Sequence, residues 1–333
     1  MSLHTSFAKA FGLRLPVIMA PMFLVSNEAM MRAALDEGIM GVFPTLNYRK
    51  EGELKEVLQS LESYRQNGNR PGRVGVNLIV QKTNPLFAEH LQICVGQKVP
   101  FYITSLGNPE PVIQAAHAYG GKVYCDVTNL KHAEKCAQLG CDGFIAVTEG
   151  AGGHAGPYPL HILVPALRNH FPEIPVIAAG GIATGQSLVA TLALGACGVS
   201  MGTRFIACTE ASVNPAYKQA IVEAGMEDIM MTERLSGTPC AVIGNEEALR
   251  LGPHQNRIER WLSSSPRTKK YFKMLVQLRG MKRLEKAVKP GDYSRIWSAG
   301  QSVEFIHDIL PCKEILDRIE QEAISTLDSL KDA

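Results

Sequence analysis

The nine residues TEGAGGHAG at positions 148–156 contain four glycines, two alanines and one histidine, His154. A histidine buried in a core is normally surrounded by bulky apolar side chains, which this segment lacks. The pKa of free imidazole lies near neutrality, so a histidine can act as a general base. Because the flanking glycines would let the backbone approach a ligand closely, we predict that His154 is presented to a substrate.

Two more glycine turns follow apolar runs later in the chain. The first, in AAGGIATG, contains Gly180 and Gly181, and the second, in MGTRF, contains Gly202 and Thr203. Backbone N–H groups in a glycine turn before a helix can bind an anion. Glycine also serves tight turns, so one such turn is weak evidence. Two of them at neighbouring strand ends predict a phosphorylated ligand.

These residues lie at the ends of short apolar runs that alternate with helical patterns. The eight runs are residues 16–21, 41–46, 73–80, 100–106, 122–128, 143–148, 175–181 and 198–206. Apolar strands that alternate with helices predict a parallel sheet covered on both faces. Eight units favour an α/β fold of the (β/α)8 TIM barrel type over a doubly wound sheet of six or seven strands. The active site of such a barrel forms at the C-terminal ends of its strands.

The pattern changes after the eighth run. Residues 210–300 show helical spacing and no clear βα unit, which predicts a helical insertion covering the active-site mouth. The barrel would then comprise residues 1–209 and 301–333, and a last helix at 312–330 would close it.

Other strand ends carry residues suited to a flat ligand. The first strand leads into Ala20, Pro21 and Met22, where such a ligand could approach the backbone. The third contains Asn77, whose amide could bond a ligand or a neighbouring loop. The fifth ends with Asp126. A phosphate on one side, a flat face in the middle and an imidazole opposite predict FMN with a catalytic histidine.

The ordered motifs APM, GVN, AGGHAG, AAGGIATG, ALGACGVSMGTRF and IWSAGQ resemble those of the nitronate monooxygenase family, formerly called 2-nitropropane dioxygenases. The resemblance runs across nearly the whole chain. It implies an FMN-dependent oxidoreductase that uses molecular oxygen, without a metal, to oxidise alkyl nitronates and, as an option left open, nitroalkanes. It implies that His154 is catalytic, and that FMN is bound by Ala20, Pro21, Met22, Asn77, Asp126, Gly152, Gly153, Ala179, Gly180, Gly181, Gly202 and Thr203.

Three positions leave the chemistry open. Many relatives have a glutamine where this chain has Val147, and some have a lysine where Asp126 stands. A cation there would stabilise an anionic reduced flavin, whereas a carboxylate would oppose it unless protonated or turned away. Tyr158, four residues after His154, would either shape the substrate pocket or serve packing.

Two other enzyme functions occur on barrels of this kind. An NAD(P)H-dependent flavin reductase acting on a quinone or an enoyl thioester suits the same architecture. The GAGGHAG segment superficially matches a GxGxxG loop, but it follows the sixth strand without the βαβ context of a dinucleotide site. A barrel of the inosine-monophosphate dehydrogenase class would need a nucleophilic cysteine after the first glycine turn, and GGIATGQS has none.

The composition limits the kinds of binding partner that are expected. The 333 residues are 46% hydrophobic, and the formal net charge of +2 gives no basic surface for a nucleic acid. The eight cysteines have no CxxC or metal-ligand spacing, which predicts reduced thiols in a cytoplasmic protein. No apolar run reaches about eighteen residues, and the N-terminus lacks the apolar segment of a signal peptide, so no membrane partner is expected. The expected partners are a small-molecule substrate and oxygen, with homodimer formation left open.

Overall fold

Parallel strands close into a barrel in the computed structural model, which describes residues 3–81, 83–235, 237–254, 276, 288 and 296–331. The strands are Val17–Met19 (β1), Met40–Pro44 (β2), Arg73–Ile79 (β3), Phe101–Ser105 (β4), Lys122–Val127 (β5), Gly143–Val147 (β6), Gly153–His154 (β7), Val176–Ala179 (β8), Gly198–Met201 (β9), Ile229–Thr232 (β10) and Cys240–Ile243 (β11). The barrel order is β1-β2-β3-β4-β5-β6-β8-β9, and β9 pairs with β1 to close it. The predicted (β/α)8 barrel is confirmed.

Helices follow the barrel strands. Those with described bounds are Ser6–Phe11 (α1), Glu28–Asp36 (α2), Glu53–Asn67 (α3), Phe87–Gly96 (α4), Glu110–His117 (α5), Leu130–Gln138 (α6), Leu160–His170 (α7), Gly185–Ala193 (α8), Thr203–Ile206 (α9), Pro215–Glu223 (α10), Glu246–Leu251 (α11) and Cys312–Ser329 (α12). Short 3-10 turns lie at Thr45–Asn47, Met226–Asp228 and Gln301–Phe305. Asparagine and threonine side chains cap several of these helices, Asn27 before α2 and Thr184 before α8 among them.

The barrel interior is filled with side chains. Inward positions alternate along each strand, and those in the lower layers form one buried apolar cluster that includes Ile18, Phe101, Tyr124 and Ile177. Helix α1 packs against the same cluster, where the Phe7 ring lies 5.9 Å from the ring of Phe101. These side chains close the N-terminal end of the barrel, so we expect a ligand to enter from the C-terminal end.

The last helix completes the outer layer beside α8. A Cβ on Gly185 would come within 2.3 Å of the backbone nitrogen of Ala323, so glycine at this position allows the two helices to approach closely. Arg14 bonds the carboxylates of Asp317 at 2.6 Å and Glu320 at 2.5 Å, which ties the same helix to the start of β1. The predicted closing helix is therefore present.

The eighth strand is shorter than its apolar run suggested. The run 198–206 was expected to be extended throughout, but β9 ends at Met201 and α9 begins at Thr203. Gly202 separates the two elements, with φ −106° and ψ −69°. A run of apolar residues cannot by itself distinguish a strand from a short buried helix, which explains the error.

The segment predicted as a helical insertion contains strands as well as helices in its described part. Strands β10 and β11 pair antiparallel, and β11 pairs in turn with β7. Much of residues 255–295 lies outside the described residues, so the helical prediction there stays a prediction.

Candidate active site

Inward-facing residues at or near the C-terminal ends of five barrel strands form the floor of the mouth. Four of them lie two residues beyond members of the buried interior cluster, and the fifth, on β3, lies two residues beyond Gly75, where a Cβ would contact Phe101 of that cluster. Side chains alternate along a strand, so all five point into the barrel. They are Asn77, Ser105, Asp126, Val147 and Ala179. The predicted site residues Asn77, Asp126 and Ala179 therefore share one layer.

A hydrogen-bond chain crosses three of these strands. The amide nitrogen of Asn77 donates to the carbonyl oxygen of Ile103 at 3.2 Å and to the hydroxyl of Ser105 at 2.7 Å. The Ser105 hydroxyl donates to Oδ2 of Asp126 at 2.5 Å. Asn77 is buried, with 5% of its surface exposed, so this amide is rigidly held. Ser105 was not among the predicted site residues, although it occupies the equivalent inward position on β4.

The acidity of Asp126 is unusual for a carboxyl group. Burial raises its pKa to about 6, and the hydrogen bond from Ser105 offsets only part of that rise. No charged group among the described residues lowers the pKa further. The Asp126 carboxyl group therefore carries a proton over a pH range in which an ordinary aspartate is ionised.

The loop after β1 is held by side chains from two directions. Asn47 accepts a hydrogen bond from the backbone N–H of Leu24 at 2.7 Å and donates to the carbonyl oxygens of Met22 and Ser26. The Ser26 hydroxyl accepts from the N–H of Met22 at 2.9 Å and donates to the carbonyl of Ala20 at 3.1 Å. Leu24 has φ +60°, a strained value that these bonds maintain. Ala20, Pro21 and Met22 are thus fixed at the rim, each partly exposed.

The two glycines after β8 have different structural roles. A Cβ on Gly180 would lie 2.4 Å from the Thr148 hydroxyl and 2.6 Å from the backbone nitrogen of Ala151, so glycine allows the neighbouring loop to approach. Gly181 has φ +75°, its N–H donates to the carbonyl of Gly150 at 3.0 Å, and a Cβ there would meet nothing within 4 Å. Gly181 therefore borders open space at the rim.

The N-terminus of α8 uses its own amides within the protein. The Thr184 hydroxyl accepts from the N–H of Ser187, and the Ser187 hydroxyl accepts from the N–H groups of Ala183 and Thr184. The carboxylate of Glu322 accepts from the N–H of Gly185 at 2.7 Å. An anion at this rim would therefore have to rely on the amides of the glycine turns.

His154 is positioned by the inserted strands. Its backbone pairs with Cys240 and that of Gly153 pairs with Ala241, which makes these two residues the short strand β7. The His154 side chain is exposed, whereas Cys240 is buried. The fixed backbone and exposed imidazole agree with a residue presented to a ligand. Strand β11 was not anticipated as its support.

Tyr158 lies at the end of the same loop, just before α7. Its carbonyl oxygen accepts a hydrogen bond from the N–H of Glu149 at 3.0 Å, which closes the loop at its base. Tyr158 is 46% exposed, so part of its surface faces solvent.

The segment that returns from the insertion contacts the glycine loop directly. A Cβ on Gly152 would come within 2.8 Å of the backbone nitrogen of Gly300, and Gly300 donates its N–H to the Thr203 hydroxyl at 3.1 Å. The Tyr217 hydroxyl bonds the carbonyl of Ser298 at 2.5 Å. Gly152 and Thr203, both predicted to contact a cofactor, therefore also hold this segment in place.

One group of potential metal ligands occurs away from these residues. The ligand atoms of Cys208, Glu210 and Cys312 lie within 4.8 Å of one another among the described residues. Both carboxylate oxygens of Glu210 already accept from the backbone N–H of Cys312, at 2.9 and 3.1 Å. These hydrogen bonds link the start of α12 to the segment after α9. Cys312 is distant in sequence from Cys208 and Glu210, so spacing could not reveal the group.

Comparisons with known proteins agree with this architecture. The sequence profile described as nitronate monooxygenase matches residues 5–322. The chain is 26% identical to (3aS,4S,5R,7aS)-5-hydroxy-7a-methyl-1-oxo-octahydro-1H-indene-4-carboxyl-CoA dehydrogenase of Rhodococcus jostii, covering 99% of this chain and 98% of that protein. It is 25% identical to nitronate monooxygenase of Paraburkholderia phytofirmans, covering 96% and 95%.

A solved structure extends the comparison to the fold. FabK from Thermotoga maritima superposes with a TM-score of 0.84 at 29% sequence identity, covering 99% of both chains. Among the helices that the structure describes, none is both long and apolar enough to cross a lipid bilayer.

Proposed function

The chain belongs to the nitronate monooxygenase family and is an oxidoreductase of that type, and from this premise we propose that it is FMN-dependent and oxidises alkyl nitronates with molecular oxygen. The observation that carries the proposal is the exposed imidazole of His154, whose backbone is fixed by β11 at the mouth of the barrel.

The rim offers room for a phosphate group. A side chain on Gly181 would enter open space, and the atoms nearest to a Cβ on Gly202 would be those of Met22 and Ala20, at 3.6 Å or more. Packing within the described protein therefore does not require glycine at position 202. At position 181 the positive φ favours glycine, but packing does not require it. A ligand that needs close approach to the backbone supplies a reason for both.

The mouth residues suit the remaining parts of FMN. The loop after β1 and the layer of Asn77 and Asp126 present amide, carboxyl and small apolar surfaces to a planar ring. We assign the phosphate to Ala179, Gly180, Gly181, Gly202 and Thr203. We assign the ring to Ala20, Pro21, Met22, Asn77, Asp126, Gly152 and Gly153.

The chemistry divides between the cofactor and His154. Bound FMN would supply the electron acceptor for the oxidation. The His154 imidazole would remove the proton on the carbon next to a nitro group, or donate a hydrogen bond to a nitronate that has already lost it. Tyr158, exposed at the end of the same loop, would border the substrate.

We further propose that residues 210–300 shape the substrate cavity. Strand β11 pairs beside His154, and Gly300 contacts Gly152 and Thr203, so both described ends of this segment lie at the C-terminal rim. All eight cysteines are free thiols, which supports a reducing compartment such as the cytoplasm.

A second function is favoured by one comparison. The Rhodococcus jostii relative, similar over nearly the whole chain, is named for action on a carboxyl-CoA thioester. An NAD(P)H-dependent flavin reductase acting on an enoyl thioester is therefore the alternative proposal, with a quinone as another acceptor.

Oxygen consumption separates the two proposals. The purified protein, loaded with FMN, is given propyl-2-nitronate in air-saturated buffer, and in parallel NADH or NADPH with an enoyl-CoA. Rapid oxygen uptake with the nitronate and none with the nicotinamide supports the first function. Thioester reduction by NADH or NADPH, with no oxygen uptake from the nitronate, supports the second.

A further inference from the structure

The hydrogen-bond chain across the floor of the mouth has a fixed direction. The carbonyl oxygen of Ile103 can only accept, so the Asn77 atom next to it must be the amide nitrogen. That nitrogen also faces the Ser105 hydroxyl, which must therefore accept from it. The hydroxyl proton of Ser105 is then directed to Oδ2 of Asp126. The chain ends at Asp126 as an acceptor.

The other carboxyl oxygen of Asp126 is available to a ligand. Among the residues that the structure describes, Oδ1 has no hydrogen-bond partner, and the side chain is only partly buried. A ligand seated on the floor of the barrel would cover this oxygen. An ionised carboxylate covered in this way loses its water without gaining a counter-charge, which is costly.

Among the residues that the structure describes, no cation faces Asp126 to supply such a counter-charge. Ser105 on β4 and Asn77 on β3 are neutral, and Val147 on β6 is apolar. The Cys136 thiol on α6 is kept protonated, since its pKa is raised by hydrogen bonding with Cys125, then by burial, and lastly by the charge of Asp126.

The cation on the same strand is engaged elsewhere. Lys122 begins β5 and pairs with Asp142 at 2.9 Å, and His117 of α5 bonds the same carboxylate at 2.8 Å. His154 also lies at the mouth, and because an ordinary imidazole changes its protonation state near neutral pH, its contribution needs a separate control.

We propose that Asp126 binds the flavin as a neutral carboxylic acid, donating a hydrogen bond to it from the end of the Asn77–Ser105–Asp126 chain. This inference rests on the proposed FMN dependence. A flavin ring carries carbonyl oxygens and unprotonated ring nitrogens that accept hydrogen bonds, and FMN also brings an anionic phosphate. A protonated Asp126 supplies the missing donor and removes a like charge from the mouth.

Flavin binding should then take up a proton. Covering Asp126 favours its neutral form further, so the flavin-bound carboxyl group would hold its proton to a higher pH than the free one. Affinity is therefore highest at low pH and falls as the pH rises above about 6, where the free protein loses the proton. The limiting slope is about tenfold per pH unit for one coupled proton.

The test measures riboflavin affinity between pH 5.5 and 8.5 by quenching of riboflavin fluorescence. Riboflavin lacks the phosphate, whose own ionisation near pH 6 would complicate FMN data. Wild-type affinity should fall at least about tenfold between pH 6 and pH 8. Asp126→Asn, which keeps the shape and accepts from Ser105, should change less than about twofold over that range. His154→Ala should retain the wild-type slope.

Each other outcome is decisive. A flat wild-type profile, or a slope that persists in Asp126→Asn, overturns the inference while leaving FMN dependence intact. A slope lost in His154→Ala assigns the proton to the imidazole and likewise overturns it. Failure of the wild-type protein to bind either FMN or riboflavin at any pH refutes the proposed cofactor itself. Thermal melting of each variant confirms that it is folded.

Discussion

Cys240 of the inserted sheet lies directly opposite His154 in an antiparallel pair, and the two side chains have opposite environments. Cys240 is buried, and burial raises the pKa of its thiol to about 12, so it stays protonated and serves packing. His154 is exposed. The pairing fixes the backbone of His154, whose exposed side chain lies outside the buried apolar cluster that contains Cys240.

Replacing His154 with alanine should therefore affect chemistry more than stability. We expect turnover of a neutral nitroalkane to fall by about two to four orders of magnitude, the usual contribution of a general base. Activity with a preformed nitronate should fall much less, because no proton has to be removed. Steady-state rates with both substrates measure the difference, and His161→Ala, an exposed histidine on α7, is the matched control. Equal losses on both substrates would show that His154 only orients the ligand.

Gly181→Ala tests the phosphate site. The new Cβ would project into open space at φ +75°, so we expect a strain of about 1–2 kcal/mol together with a loss of FMN affinity of about tenfold or more. Gly140→Ala has a similar φ of +80° and equally open surroundings, but lies between α6 and β6 at the opposite rim. Gly140→Ala should therefore show the destabilisation from backbone strain without a loss of FMN affinity. Retention of wild-type FMN affinity in Gly181→Ala would remove this glycine from the site.

Gly300→Ala should loosen the contact between the returning segment and the glycine loop. Its Cβ would come within 2.4 Å of the carbonyl oxygen of Gly150 and 2.8 Å of the backbone nitrogen of Gly152, both of which are backbone atoms. We expect a loss of about 1–3 kcal/mol in the free energy of unfolding. Gly96→Ala, where a Cβ meets nothing within 4 Å, should be neutral or slightly stabilising. Urea denaturation of both variants measures this, and equal stabilities would contradict the observed contact.

Asp126→Asn should stabilise the FMN-free protein at alkaline pH. The folded-state pKa of about 6 lies above the ordinary value of 3.8, so the stability that Asp126 contributes is present below pH 4 and is lost as the pH rises through 6. The variant does not titrate and should be more stable than the wild type by about 1–3 kcal/mol at pH 8. The difference should shrink as the pH is lowered towards 4. A difference independent of pH would show that Asp126 is not perturbed.

Much of the fold could be predicted from the sequence because the barrel strands are buried on both faces. Each of the eight apolar runs overlaps a barrel strand, and the closing helix 312–330 was found within one residue of its end. Strands β10 and β11 were missed because each has only four residues, too few to show a clear alternation of apolar and polar side chains. The pairing of β11 with β7 joins residues far apart in sequence, so no local pattern indicates it.

The candidate site was only partly predictable for a related reason. Motifs and strand ends predicted Asn77, Asp126 and His154 as site residues, but the Ser105 link depends on the register that places Asn77 beside Ile103. Register between parallel strands is a property of the closed barrel. The same holds for Gly300, whose contact with Gly152 joins segments far apart in the chain.

The central proposal is that nitronates, and not NADH or NADPH, deliver electrons to the bound FMN. The most direct measurement mixes the FMN-loaded protein anaerobically with propyl-2-nitronate, or with NADH or NADPH, and follows the visible absorbance of the flavin. We predict that the nitronate bleaches the flavin rapidly and that neither nicotinamide does so. Rapid bleaching by NADH or NADPH, with no change on adding the nitronate, would contradict the proposal and identify the protein as a reductase.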